Sequence, residues 1–104
     1  MTGQDLAAAV QLWGRLDEEQ QKIARKGLAG RLRATGLYAT LEWLRKHDAD
    51  RIYREIMDAL GIERPADGSP LPSTLTNRQM FLAERRALVL MEALHIYSRS
   101  QGGA

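Results

Sequence analysis

The chain has 104 residues, 44% of them hydrophobic and 27% charged, which is the size and balance of one folded domain (1–104) and far from the composition of disordered chains. It contains no cysteine, which excludes disulfides, thiolate metal sites and thiol nucleophiles. No apolar run approaches the roughly 18 residues that span a bilayer, and Met1-Thr2-Gly3-Gln4-Asp5 lacks the order of a signal peptide; the expectation is a cytoplasmic protein without a membrane partner. The net charge of +2 is small but unevenly spread. Residues 1–21 carry Arg15 against Asp5, Asp17, Glu18 and Glu19, whereas residues 22–54 carry nine bases against three acids, and between Lys22 and Leu41 there are five bases and no acid. Twelve of the 15 bases are arginine, whose planar fork suits phosphate oxygens.

Leu6, Ala9, Val10 and Trp13 recur at helical spacing, and Leu16, Ile23, Ala24, Leu28 and Leu32 continue a broken version of the same period, so residues 4–34 read as mainly helical. Gly14, or the run Asp17-Glu18-Glu19 with Asp17 as N-cap, can split this stretch into two helices. Thr35-Gly36 punctuates the chain. Leu37, Leu41 and Leu44 then mark a short amphipathic helix ending in Arg45-Lys46-His47, bases suited to a helix C-terminus. Asp48 is placed to cap the next helix, where Ile52, Tyr53, Ile56, Met57 and Leu60 repeat before Gly61 stops it.

From Gly61 to Leu75 all three prolines fall together without either period, which predicts a loop over 61–75. Thr76 and Gln79 have capping-box spacing and open a long helix through Phe81, Leu82, Leu88, Met91, Leu94 and Ile96; its apolar run at 87–91 predicts a place at the bundle centre. Residues 101–104 read as a frayed tail. The fold class is therefore all-α, a single compact bundle of about four to six helices. The six aromatics all have apolar neighbours at helical spacing and are expected to pack inside, with Tyr38 the one retained as a surface contact.

No catalytic constellation emerges. His47-Asp48 lacks the further ligands a metal needs, since His95 is the only other histidine. Neither a glycine-rich phosphate loop nor a serine elbow is present, and Asp48 and Asp50, two apart, read as caps. The expectation is a non-enzyme with no metal and no cofactor. The bases offer more. Arg15, Lys22, Lys26 and Arg33 are separated by seven, four and seven residues, which at about 100° per residue sets them within roughly 40° on one face of a continuous helix, a stripe ~27 Å long. If the chain turns at Asp17, Arg15 drops out and a shorter patch remains. Such a patch is either a phosphate-contacting surface or a solvated face. Gly27 and Gly30, each costing about 1 kcal/mol relative to Ala in a helix, suggest a close approach or a kink.

The stretch Leu28 to Leu60, above all Leu32-Arg33-Ala34-Thr35-Gly36-Leu37-Tyr38-Ala39-Thr40-Leu41-Glu42-Trp43-Leu44, resembles the small helical subunit of type III-B (Cmr) CRISPR RNA-guided effector complexes. The shared pattern is a helix ending at a polar Gly-Leu turn, then a helix of the form Gly-Leu-x-x-x-Leu-x-aromatic-Leu, met here by Gly36, Leu37, Leu41, Trp43 and Leu44. Leu28-Ala29-Gly30 stands where that family usually has Leu-Pro, and the last helix lacks its usual Glu and Trp. The resemblance implies a non-catalytic antiviral-defence component. Several copies stack as a filament beside other subunits, and a basic face contacts target RNA paired with guide RNA. Charge and periodicity, not the motif, nominate Lys22, Arg25, Lys26 and Arg33 for RNA, with Arg45 and Lys46 next. Two other classes fit the composition: a helix-turn-helix DNA regulator reading through 37–46 or 48–60, and a helical protein–protein adaptor.

Overall fold

A computed structural model describes residues 2–47 and 49–102, which form six helices and no strand. α1 spans Gly3–Gly14 and α2 spans Glu18–Ala24. Thr2 opens α1 with a capping box: its hydroxyl accepts from the Asp5 amide at 3.3 Å, and the Asp5 carboxylate accepts from the Thr2 amide at 2.8 Å and its hydroxyl at 2.9 Å. Those bonds hold the Asp5 carboxyl below the usual carboxylate range. Asp17 caps α2 as its position predicts, accepting from the Gln20 amide at 2.9 Å. Gln21 then donates back to the Leu16 carbonyl at 3.2 Å, covering an acceptor left open after α1.

The stretch expected as one or two helices is three. α3 spans Leu28–Thr35, separated from α2 by Gly27 at φ 78°, a left-handed conformation that costs a side-chain-bearing residue roughly 1 kcal/mol or more. Gly27 is thus a break between helices. Gly30 sits inside α3, exposed, and a Cβ there would meet no atom within 4 Å, so no close approach explains it. The pair predicts opposite outcomes in thermal melts: Gly30→Ala raises stability by about 0.5–1 kcal/mol, and Gly27→Ala lowers it by a similar amount.

Gly36, at φ 88°, turns α3 into α4, Leu37–Lys46. α5 spans Asp50–Leu60 and stops at Gly61, φ 69°, as the sequence predicts. The cap assigned to Asp48 lies outside the described residues. The 61–75 segment is irregular and fastened to the bundle: the buried Tyr53 hydroxyl donates to the Pro70 carbonyl at 2.8 Å and Arg45 donates to the Gly68 carbonyl, while within the segment Asp67 accepts from the Ser69 amide at 2.9 Å. Burial pushes the Tyr53 phenol up, which keeps it a donor. α6, Asn77–Gly102, begins with the expected Thr76–Gln79 box (2.8 and 3.1 Å). It runs two residues into the segment read as a frayed tail; residues 103 and 104 lie outside the described residues.

α6 is the axis of the bundle, with α1 and α3 making its most extensive contacts. Leu37, Leu41, Leu44, Ile52, Ile56, Met57, Met91 and Leu94 are essentially fully buried. Within the 87–91 run Ala87, Leu90 and Met91 are buried while Leu88 and Val89 are half-buried, so α6 is central along one face only. Phe81 departs from the expected interior packing: it is 59% exposed, with the Arg85 guanidinium 5.7 Å from its ring centroid.

Glu55 is the one buried acid among the described residues, and it is clamped by Arg15 of the α1–α2 turn at 2.9 Å and by Arg51 at 3.5 Å. Both guanidiniums are half-exposed and regain water when the carboxylate is removed, which limits the loss. Glu55→Ala is therefore expected to cost about 1–2 kcal/mol, read as a lower urea midpoint at unchanged slope.

Candidate nucleic-acid interface

The basic stripe is not one line, because its residues fall on three helices and the turns between them. Arg15 belongs to the Glu55 clamp. Arg33 reaches to α6 and pairs with Glu92. Arg45 is drawn to the 61–75 loop by the Gly68 carbonyl, with its guanidinium 5.3 Å from the Tyr53 centroid. Lys46 pairs with Glu42 one turn earlier at 3.0 Å. Four of the bases on which a phosphate surface could be built are thus engaged in holding the bundle together or in local pairs.

Lys22, Arg25 and Lys26 remain as a group at the end of α2 and the turn after it, all exposed. Lys22 has only an exposed contact to Glu19 at 3.4 Å, worth well under 1 kcal/mol. Arg25 lies over the Trp13 ring, 5.3 Å from its centroid, and among the described residues neither Arg25 nor Lys26 has a carboxylate partner. Arg31, which charge counting includes but periodicity does not single out, joins them. Its amide bonds the Gly27 carbonyl at 3.2 Å, so it stands one helical turn beyond the Lys26–Gly27 corner.

The Arg31 guanidinium sits 3.9 Å from the Trp43 centroid, and the His47 ring stacks on the same indole at 4.4 Å and 22°. Trp43 is thus in contact with both a guanidinium and an imidazole, with His47 Nδ1 2.9 Å from the Trp43 carbonyl. This contact links α3 to α4, and Arg31 is exposed. The sequence holds every residue of it, yet the pairing of positions 31 and 43 depends on how α3 and α4 cross. Tyr38 is exposed on α4, as expected of the aromatic retained for the surface, and borders an open hollow with Lys46 and Ser69.

His47 and His95 lie on different elements, and among the described residues no three of His, Asp and Glu are grouped as a metal would require. Asp48, the other half of the His-Asp pair, lies outside the described residues. No described helix is long and apolar enough to cross a membrane. Neither a protein-family model, nor a curated protein, nor a solved structure matches the chain.

Proposed function

We propose that this chain is a non-catalytic small subunit of a type III-B (Cmr) RNA-guided effector complex, which lays the exposed α2–α3 corner along the backbone of target RNA. The observation that carries the reading is the corner itself: Lys22, Arg25, Lys26 and Arg31 stand exposed within ten residues, and among the described residues Glu19 is the only carboxylate paired with them. The Gly36-Leu37 hairpin and the placement of Leu37, Leu41 and Leu44 in the core give the motif of the resemblance a structural role, which agrees with a family signature made of packing residues. Contacts of this kind position a strand without reading it, so binding is tolerant of sequence and steeply salt-dependent. A helix-turn-helix reading finds less support. The outward side of α4 includes Glu42 paired with Lys46, and that of α5 sets Asp50 and Asp58 among Arg51 and Arg54, with Asp50 held by Arg54 at 2.8 Å, so neither helix offers the acid-poor basic surface of the α2–α3 corner.

The test is co-purification of the tagged chain from its own host at low salt, read by native mass spectrometry. A large assembly holding a guide-sized RNA and several copies of this chain is the expected result; a bare monomer or dimer without RNA overturns it.

A further inference from the structure

Leu82 is 46% exposed on α6, and it lies where two hollows meet. One, of roughly 710 Å³, separates the 61–75 loop from the first turns of α6 and is walled by Ile62, Leu75 and Ala83. The other, of roughly 330 Å³, lies between the start of α1, the end of α5 and α6, against Ala8, Ala59 and Val89. Leu60, Leu82 and Arg86 line both, so the two are halves of one furrow whose middle is two leucines beside a guanidinium. Its lining from Gln79 to Leu90 measures ~16 Å along α6, the reach of three helical turns.

The rim is basic at its centre. Arg86 is oriented by the Ala59 carbonyl at 3.3 Å, Arg64 flanks the first hollow and Arg85 the second, and none of the three has a carboxylate at ion-pair distance among the described residues. Two acids flank it: Glu63 borders only the first hollow, and Asp5 borders only the second, where its carboxylate is tied to Thr2 and feels the Arg86 charge without pairing to it. We propose that the furrow docks an acidic, aliphatic segment of a partner protein, which seats an aliphatic side chain on Leu60 and Leu82 and a carboxylate on Arg86. Charge complementarity selects acidic over basic segments, and the apolar floor selects a peptide over a polynucleotide, whose backbone offers nothing to bury there. The furrow belongs to the start of α1, the end of α5, the 61–75 loop and α6, so it stands independently of the RNA-facing corner on α2 and α3.

The probe is a fluorescein-labelled 14-residue peptide with Leu at alternating three- and four-residue spacing flanked by Glu, alongside the same peptide with Lys for every Glu. By anisotropy the Glu peptide is expected to saturate in the micromolar to submillimolar range and the Lys peptide to bind at least about tenfold more weakly. Leu82→Ser and Arg86→Gln are each expected to weaken binding at least about fivefold, while Lys22→Glu with Lys26→Glu leaves it unchanged. Amide shifts on titration should cluster at 5–8, 59–66, 72–75 and 79–90, and an unchanged spectrum elsewhere shows that each variant keeps its fold. Absence of saturation up to about 1 mM, equal binding of the Lys peptide, insensitivity to both furrow variants, or displacement of the peptide by single-stranded RNA overturns the proposal.

Discussion

Replacing Lys22 and Lys26 together with Glu is expected to lower affinity for single-stranded RNA at least about tenfold at low salt, with the melting temperature unchanged. Neither lysine contributes to the core, and the Glu19 contact of Lys22 is exposed on both sides, so reversal of charge reaches phosphate binding without reaching packing. Each phosphate contact on a single strand adds about 0.7 to the slope of log affinity against log salt, so losing two flattens it by roughly 1.4. Filter binding of an unstructured RNA between 50 and 200 mM salt reads both quantities, where a corner making four contacts predicts about a fiftyfold loss for the parent chain. Affinity of the double variant equal to the parent removes the corner from the interface. Arg33→Glu is unsuitable as a probe, because it sets a carboxylate against Glu92 and confounds binding with folding.

The fold was legible because its signals are local. Asp17, the Thr76–Gln79 box, Gly61 and the 61–75 loop stand where cap and turn chemistry place them, and the leucine spacing of α4 and α5 marks their buried faces. Gly27 was legible only as an oddity, since a helix-interior glycine and a left-handed break share one letter. The interface was less legible for a different reason. A stripe drawn at 100° per residue presumes a continuous axis, and the breaks after Gly14 and at Gly27 reset the angle twice. The partners that engage Arg15, Arg33 and Arg45 lie 40, 59 and 23 residues away, beyond any periodicity. The furrow at Leu82 likewise joins the first turns of α1 to a loop and to α6, a meeting with no counterpart in sequence.

Leu41→Ala is expected to cost about 2–5 kcal/mol, a loss of roughly ten degrees or more in melting temperature for a domain of this size. Leu41 has no exposed surface and lies in the cluster formed with Leu37, Leu44 and Ile52, so truncation leaves a cavity that helices joined by the tight Gly36 turn cannot readily close. Leu82→Ala, at a half-exposed position of α6, is expected to stay within about 0.5 kcal/mol of the parent. The comparison separates two meanings of an aliphatic residue in one chain. Leu41 belongs to the Gly36–Leu44 motif that carries the resemblance, and its effect on RNA retention should follow the fraction of folded protein across a temperature series. A Leu41→Ala protein that keeps its parent's melting temperature would place the motif outside the core and make it a contact surface. A destabilised protein that still binds RNA when folded assigns the motif to packing and leaves the α2–α3 corner to make the contacts.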